Sequence, residues 1–163
     1  MKKSILLLAA LAFNTSATAG LDRASAIVPY TLHLGFNKAE RHVEIRLQNQ
    51  SPTLLKIRKD AAPFSLLIRG LKLSVFEESA ELKRVPVYYP MGCNAEWLDI
   101  PPQGLLHGHL TLAHFLKDHC KTLAAHPILV FWSYSARAGE DGEYLLLPSD
   151  GVFRVSKSDV VCN

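Results

Sequence analysis

His42-Val43-Glu44-Ile45-Arg46-Leu47-Gln48 alternates polar and apolar residues without a break. A side-chain period of two puts Val43, Ile45 and Leu47 on one face of an extended strand and the polar residues on the other. A helix would scatter the same residues around its circumference, so the stretch reads as a half-buried strand. The pattern repeats outward. Val28, Tyr30, Leu32, Leu34 and Phe36 share a face, with Thr31 and His33 between them, and the polar turn Asn37-Lys38-Ala39-Glu40 joins the two strands. Asn49-Gln50-Ser51-Pro52 ends the second.

Further strands follow at short spacing. Leu55 and Ile57 alternate, an irregular stretch runs through Ala61-Ala62-Pro63-Phe64, and Leu71, Leu73 and Val75 alternate again. Glu77-Glu78-Ser79-Ala80 reads as a hairpin tip, with a return through Leu82, Val85, Val87 and Tyr89. Trp97 to Ile100 is a short strand, and Pro101-Pro102-Gln103-Gly104 forces a tight reversal. Leu106, Leu110 and Leu112 then share a face, opposite His107, His109 and Thr111. From Ala113 to Ala125 the period turns helical, which predicts one short helix or turn. Ile128 to Tyr134 is apolar at almost every position, as expected of a central strand covered on both faces. Ala138 to Glu143 is a loop, and Leu145–Leu147 and Val152–Val155 close the pattern. The expected fold class is all-β, an immunoglobulin-like antiparallel β-sandwich with one short helix or turn. A small barrel is the alternative.

Met1-Lys2-Lys3, the apolar run Ile5 to Phe13 and the small-polar stretch ending Ala17-Thr18-Ala19 have the order of a cleavable export signal. The run is about half of the ~20 residues a membrane-spanning helix needs. The expectation is a leader at residues 1–19, a single β-sandwich domain at 20–163, a periplasmic or secreted location and no membrane span. The formal net charge is +3. Lys2 and Lys3 leave with the leader, so no electrostatic case for nucleic acid remains. The basic residues of 54–59 and 82–85 alternate with apolar ones, as on a solvated strand face.

Cys93, Cys120 and Cys162 are the three cysteines. In an oxidising compartment two should be bridged, and none of the spacings is that of a zinc-binding pair. Antiparallel pairing of 128–134 with 152–155 would put Cys120 and Cys162 at one end of the sheet. Cys93–Cys120 and Cys120–Cys162 are both reachable. Cys93–Cys120 is favoured, because it closes an internal loop while Cys162 sits on a tail expected to fray.

Histidine is concentrated between His107 and His126. His107 and His109, two apart on a strand, point the same way and with His114 could hold copper or zinc; otherwise they line a polar strand face, and no cofactor is needed. No nucleophile turn, metallopeptidase helix or phosphate loop is present. His119 beside Cys120 is not a nucleophile–base pair on adjacency alone. Glu96 and Asp99, two carboxylates near Trp97, are expected at a solvated loop edge. Tyr88 falls on the face opposite Val87 and Tyr89, and with Trp97 it is the candidate aromatic anchor for a partner.

Leu54-Leu55-Lys56-Ile57, Ala62-Pro63-Phe64, Leu73-Ser74-Val75-Phe76, Val85-Pro86-Val87-Tyr88, Leu98 to Gly104 and the strand around Val130 to Tyr134 occur in an order that resembles the non-catalytic β-sandwich region of deuterolysin-like and peptidyl-Lys metallopeptidases. The resemblance covers residues 27 to 135. It implies an immunoglobulin-like fold and partnership with an exported protein such as a secreted protease. The catalytic part of that family is missing, so no activity is carried over. The expected function is that of an exported, non-catalytic module that binds a protein partner, as an inhibitor or chaperone of an exported enzyme. The alternative is a periplasmic metal-binding protein.

Overall fold

The computed structural model describes residues 26–66, 70–90, 92, 94–139 and 144–162. The expected leader at 1–19 and Cys93 lie outside the described residues. The fold is mostly β, built of antiparallel sheets with few helices. No helix among the described residues is long and apolar enough to cross a membrane.

The strands are β1 (Ala26–Val28), β2 (Tyr30–Asn37), β3 (His42–Asn49), β4 (Leu55–Arg58), β5 (Lys72–Glu77), β6 (Arg84–Val85), β7 (Trp97–Ile100), β8 (Leu105–Leu110), β9 (Ile128–Tyr134), β10 (Arg137–Ala138), β11 (Tyr144–Leu146) and β12 (Ser149–Val155). The helical stretch predicted over 113–125 is two short helices, α1 (Leu112–Phe115) and α2 (His119–Ala125). Sheets form in the orders β2-β3-β8, β12-β9-β5-β6, β4-β7 and β1-β11-β10. One pair, β1 with β11, is parallel, a departure from the all-antiparallel expectation.

The alternation read from residues 42–48 sets the first sheet. Val43, Ile45 and Leu47 are buried, and the pairing of β3 with β2 and β8 brings Leu34, Leu106 and Leu110 onto the same face. Opposite them, Val75, Val130, Trp132 and Val155 point inward from the second sheet into one continuous core. Two glycines make room for aromatic side chains. A Cβ on Gly108 would lie 2.6 Å from Phe64 Cβ, and one on Gly151 would lie 2.8 Å from the Trp132 indole. Both are positions where only hydrogen fits.

The expectation for β9 is corrected. Ile128, Val130, Trp132 and Tyr134 are buried, but Phe131 is 42 % exposed. Among the described residues the strand is covered on one face only, with no second layer against Leu129, Phe131 and Ser133. The return after β5 is also shorter than expected, since only Arg84 and Val85 pair with it.

Asn49 joins two sheets. Its buried Nδ2 donates to the carbonyls of Thr53 (2.8 Å), Ile100 (3.0 Å) and Pro101 (3.1 Å), and its Oδ1 accepts from Ser51 N–H. Its main chain exchanges hydrogen bonds with Gly104 and Gln103. The reversal at 101–104 closes with Gly104 N–H donating to Pro101 O, and the left-handed residue there is Gln103 (φ 59°) rather than the glycine.

The disulfide is Cys120–Cys162, with Cα atoms 5.5 Å apart, so the favoured Cys93–Cys120 pairing gives way to its alternative. The register Ile128↔Val155 brings the chain before β9 beside the chain after β12. The latter segment is pinned rather than frayed. Residues 157–159 form a 3₁₀ turn whose capping box joins Ser156 and Asp159, and the buried Asp159 carboxylate also meets Lys38 Nζ at 3.0 Å. Cross-linking a loop of this length contributes about 4 kcal/mol by chain entropy.

Burial works against ionisation of Asp159, but the Ser156 N–H, Lys38 and Arg154 outweigh it and hold its pKa below the ordinary value. Around and below the ordinary aspartate pKa the unfolded state therefore binds more protons than the folded one, so stability rises with pH through that window and is lost as the pH falls. Asp159→Asn should be less stable than the native chain at pH 7, with the gap closing progressively below about pH 4, in urea melts run at several pH values. Asn49→Ala should cost about 2–4 kcal/mol in the same assay, because it leaves buried carbonyls without a donor.

Candidate partner-binding face

Antiparallel pairing defines what the second sheet shows to solvent. Residues directly opposite one another share a face. Ser74 therefore lies beside Phe131 and Phe131 beside Val152, while Phe76 lies beside Leu129 and Leu129 beside Arg154. Lys72, Ser133 and Asp150 make the next row, and Arg84 stands on the far side of Phe76. The centre of this face is apolar. Phe131 and Phe76 meet edge to face at 5.7 Å, and Val152 is 54 % exposed.

The rim is charged. Arg154 is held by Glu78 (2.6 Å) and by Ser156 (2.8 Å). At the β5 edge a groove of about 570 Å³ opens, lined by Leu71, Lys72, Leu73, Ser74, Arg84, Pro86, Val87 and Tyr89. Among the described residues its lining has two cations, Lys72 and Arg84, and no carboxylate. β6 is too short to pair with Leu73, and the Tyr89 hydroxyl takes its place, accepting from Leu73 N–H and donating to Leu73 C=O, both at 2.7 Å.

Tyr88 is 49 % exposed, as its position opposite Val87 and Tyr89 predicts. It lines a second groove of about 420 Å³ on the other side of residues 84–87, with Lys117 Nζ 4.9 Å from its ring centre. Trp97 lies on β7 opposite Arg58 and lines neither groove. Phe131 is the exposed aromatic that periodicity could not single out, because Leu129, Val130 and Trp132 beside it are also apolar.

The histidines divide. His107 and His109 share the exposed face of β8, opposite Arg46 and Glu44. His114 is not with them. It lies in α1, its Nδ1 accepting from Thr111 N–H in a capping box. The register adds His42 instead, whose ring lies 5.2 Å from that of His109. Glu44, between them, is held below the ordinary carboxylate range first by its hydrogen bond from Arg46, with His107 and His42 adding to the effect. Glu96 is an exposed ion pair with Lys59 (2.9 Å), which lowers its pKa. A general acid for glycoside cleavage needs the opposite shift.

Comparison of the chain with protein-family models, with curated proteins and with solved structures finds no match.

Proposed function

We propose that this chain is an exported, non-catalytic immunoglobulin-like module that binds a protein partner through the outer face of β5, β9 and β12. The observation that carries the reading is the centre of exposed Phe131 and Val152 with half-buried Phe76, on a sheet face that has no covering layer among the described residues. Rigid aromatics at the middle of a patch, with charge around them, are where binding energy concentrates. The rim cations Lys72 and Arg84, with no ion pair among the described residues, favour a partner whose own rim is acidic. The order of segments shared with the non-catalytic region of deuterolysin-like and peptidyl-Lys metallopeptidases supports an exported enzyme as that partner, with this chain as its inhibitor or chaperone. The leader-like residues 1–19 support a periplasmic or secreted location.

A photo-crosslinking amino acid placed at position 131 in an exporting host should give one dominant adduct, identified by mass spectrometry. The same probe at Gln48, on the other sheet, should not give it. Val152→Asp or Lys72→Glu with Arg84→Glu should weaken the adduct at least tenfold while leaving the circular dichroism unchanged. Equal adducts from positions 131 and 48 would count against the face.

A second reading, binding of copper or zinc by the histidine face, rests on the His42–His109 spacing. Two imidazoles on one tetrahedral ion have ring centres about 5 Å apart, given metal–nitrogen bonds of about 2.0–2.1 Å. Zinc retained by the oxidised chain in equilibrium dialysis should fall at least tenfold in His42→Ala and in His109→Ala, and stay unchanged in His114→Ala.

A further inference from the structure

A ring nitrogen of His119 and the Sγ atoms of Cys120 and Cys162 lie within 4.8 Å of one another, the one set of three such ligands to meet that limit among the described residues. The two sulfurs are joined, so the cluster is closed to metal while the bridge stands. Two further features point to a ligand. His119 and Cys120 are half-buried while Cys162 is exposed, which gives a reductant access to one sulfur. His119 Nδ1 lies 3.2 Å from the Leu116 carbonyl. A carbonyl only accepts, so Nδ1 is the donor in this contact, which leaves Nε2 as the ring nitrogen that could bind a metal. An imidazole oriented by a backbone carbonyl in this way is the usual state of a metal-binding histidine.

We propose that the Cys120–Cys162 bridge is the closed form of a thiophilic metal site. A dithiol supplies two electrons and two protons, the S–S bond breaks into two thiols, and the dithiol becomes a disulfide. Zinc(II) then displaces both thiol protons and binds Cys120 Sγ, Cys162 Sγ and His119 Nε2. These three ligands leave a fourth tetrahedral position for water or an incoming donor, the pattern of an open zinc site. In either form the segment after β12 is tied to α2: covalently when oxidised, through the ion when reduced. This is independent of the Phe131 face and of the histidines on β3 and β8.

The test uses cobalt(II) as a spectroscopic stand-in for zinc. Purified Cys93→Ser chain is reduced with a phosphine, which does not compete for metal as a dithiol would, and titrated without oxygen. The expected result is one cobalt per chain, with thiolate-to-cobalt charge-transfer absorption and the intense visible bands of a tetrahedral site. The oxidised chain should show neither, which separates this site from imidazole-only binding. Cys162→Ser should abolish the charge-transfer band, and His119→Ala should weaken binding at least tenfold. A reduced chain that loses its circular dichroism without metal is read by adding cobalt, since refolding with the bands supports the site. Absence of the bands in the reduced chain, or their persistence unchanged in Cys162→Ser, overturns it.

Discussion

The amide of Asn49 ties β3 to the end of β7 and to the reversal that leads into β8. Nδ2 has two hydrogens and serves three carbonyls, from the 51–53 turn, the end of β7 and the start of the 101–104 reversal. Burying an amide is costly unless its polar atoms are paired, and here donor and acceptor are both used. The same residue's main chain fixes β3 against the reversal that leads into β8. One side chain thus sets the register of β8 on β3 and the position of the β4–β7 pair beside them. The core residues Leu47, Leu55 and Ile100 meet because of that joint. Hydrophobic burial supplies most of the driving force but is indifferent to register; the amide is not.

A second constraint creates the candidate binding face. Trp132 fits into the core because β12 offers Gly151 opposite it. Once Trp132 points inward, the pleat sends Phe131 outward. Its neighbours across the sheet, Ser74 and Val152, follow it to the same side. The exposed aromatic centre is therefore not a packing failure at the surface. It is the geometric counterpart of a well-packed tryptophan, on a strand whose apolar residues outnumber the places one face can bury.

Much of this was legible in the sequence where the signal was local. Strict alternation at 42–48 and 71–75 gave the right inward residues, and Pro101-Pro102-Gln103-Gly104 marked the reversal. The face opposite Ile128–Tyr134 was not legible. A run apolar at almost every position is compatible with one covering layer or two, and nothing within the run says which. The role of Asn49 was hidden for a similar reason, since it reads as a turn residue until its partners some fifty positions on are known. The histidine pair on the first sheet needed the β3–β8 register to bring His42 to His109 across a wide gap in the chain. His119 and Cys120 show the limit of an adjacency argument. Neighbouring side chains usually diverge, but here the third member, Cys162, arrives from another part of the chain and closes the set.

The Cys120–Cys162 clasp lies beyond one end of the β9–β12 pair that carries much of the candidate binding face, which raises the question of how far one reaches the other. The register runs from Ser149↔Tyr134 to Val155↔Ile128, with the clasp beyond the second end and Phe131↔Val152 near the middle. Ile128 and Val155, nearest the clasp, are fully buried. Glu78 N–H donates to Pro127 O, and the Glu78–Arg154 ion pair spans the same end of the sheet. Opening the bridge therefore acts first on the 156–162 segment, which the capping box, the Lys38–Asp159 pair, the Arg154–Ser156 hydrogen bond and the packing of Val160 against the core continue to hold. Loss of an exposed or half-exposed ion pair is a small effect beside unzipping buried strand pairs. A change at the clasp is thus absorbed locally, and the Phe131 face keeps its shape whether Cys120 and Cys162 share a bond or an ion.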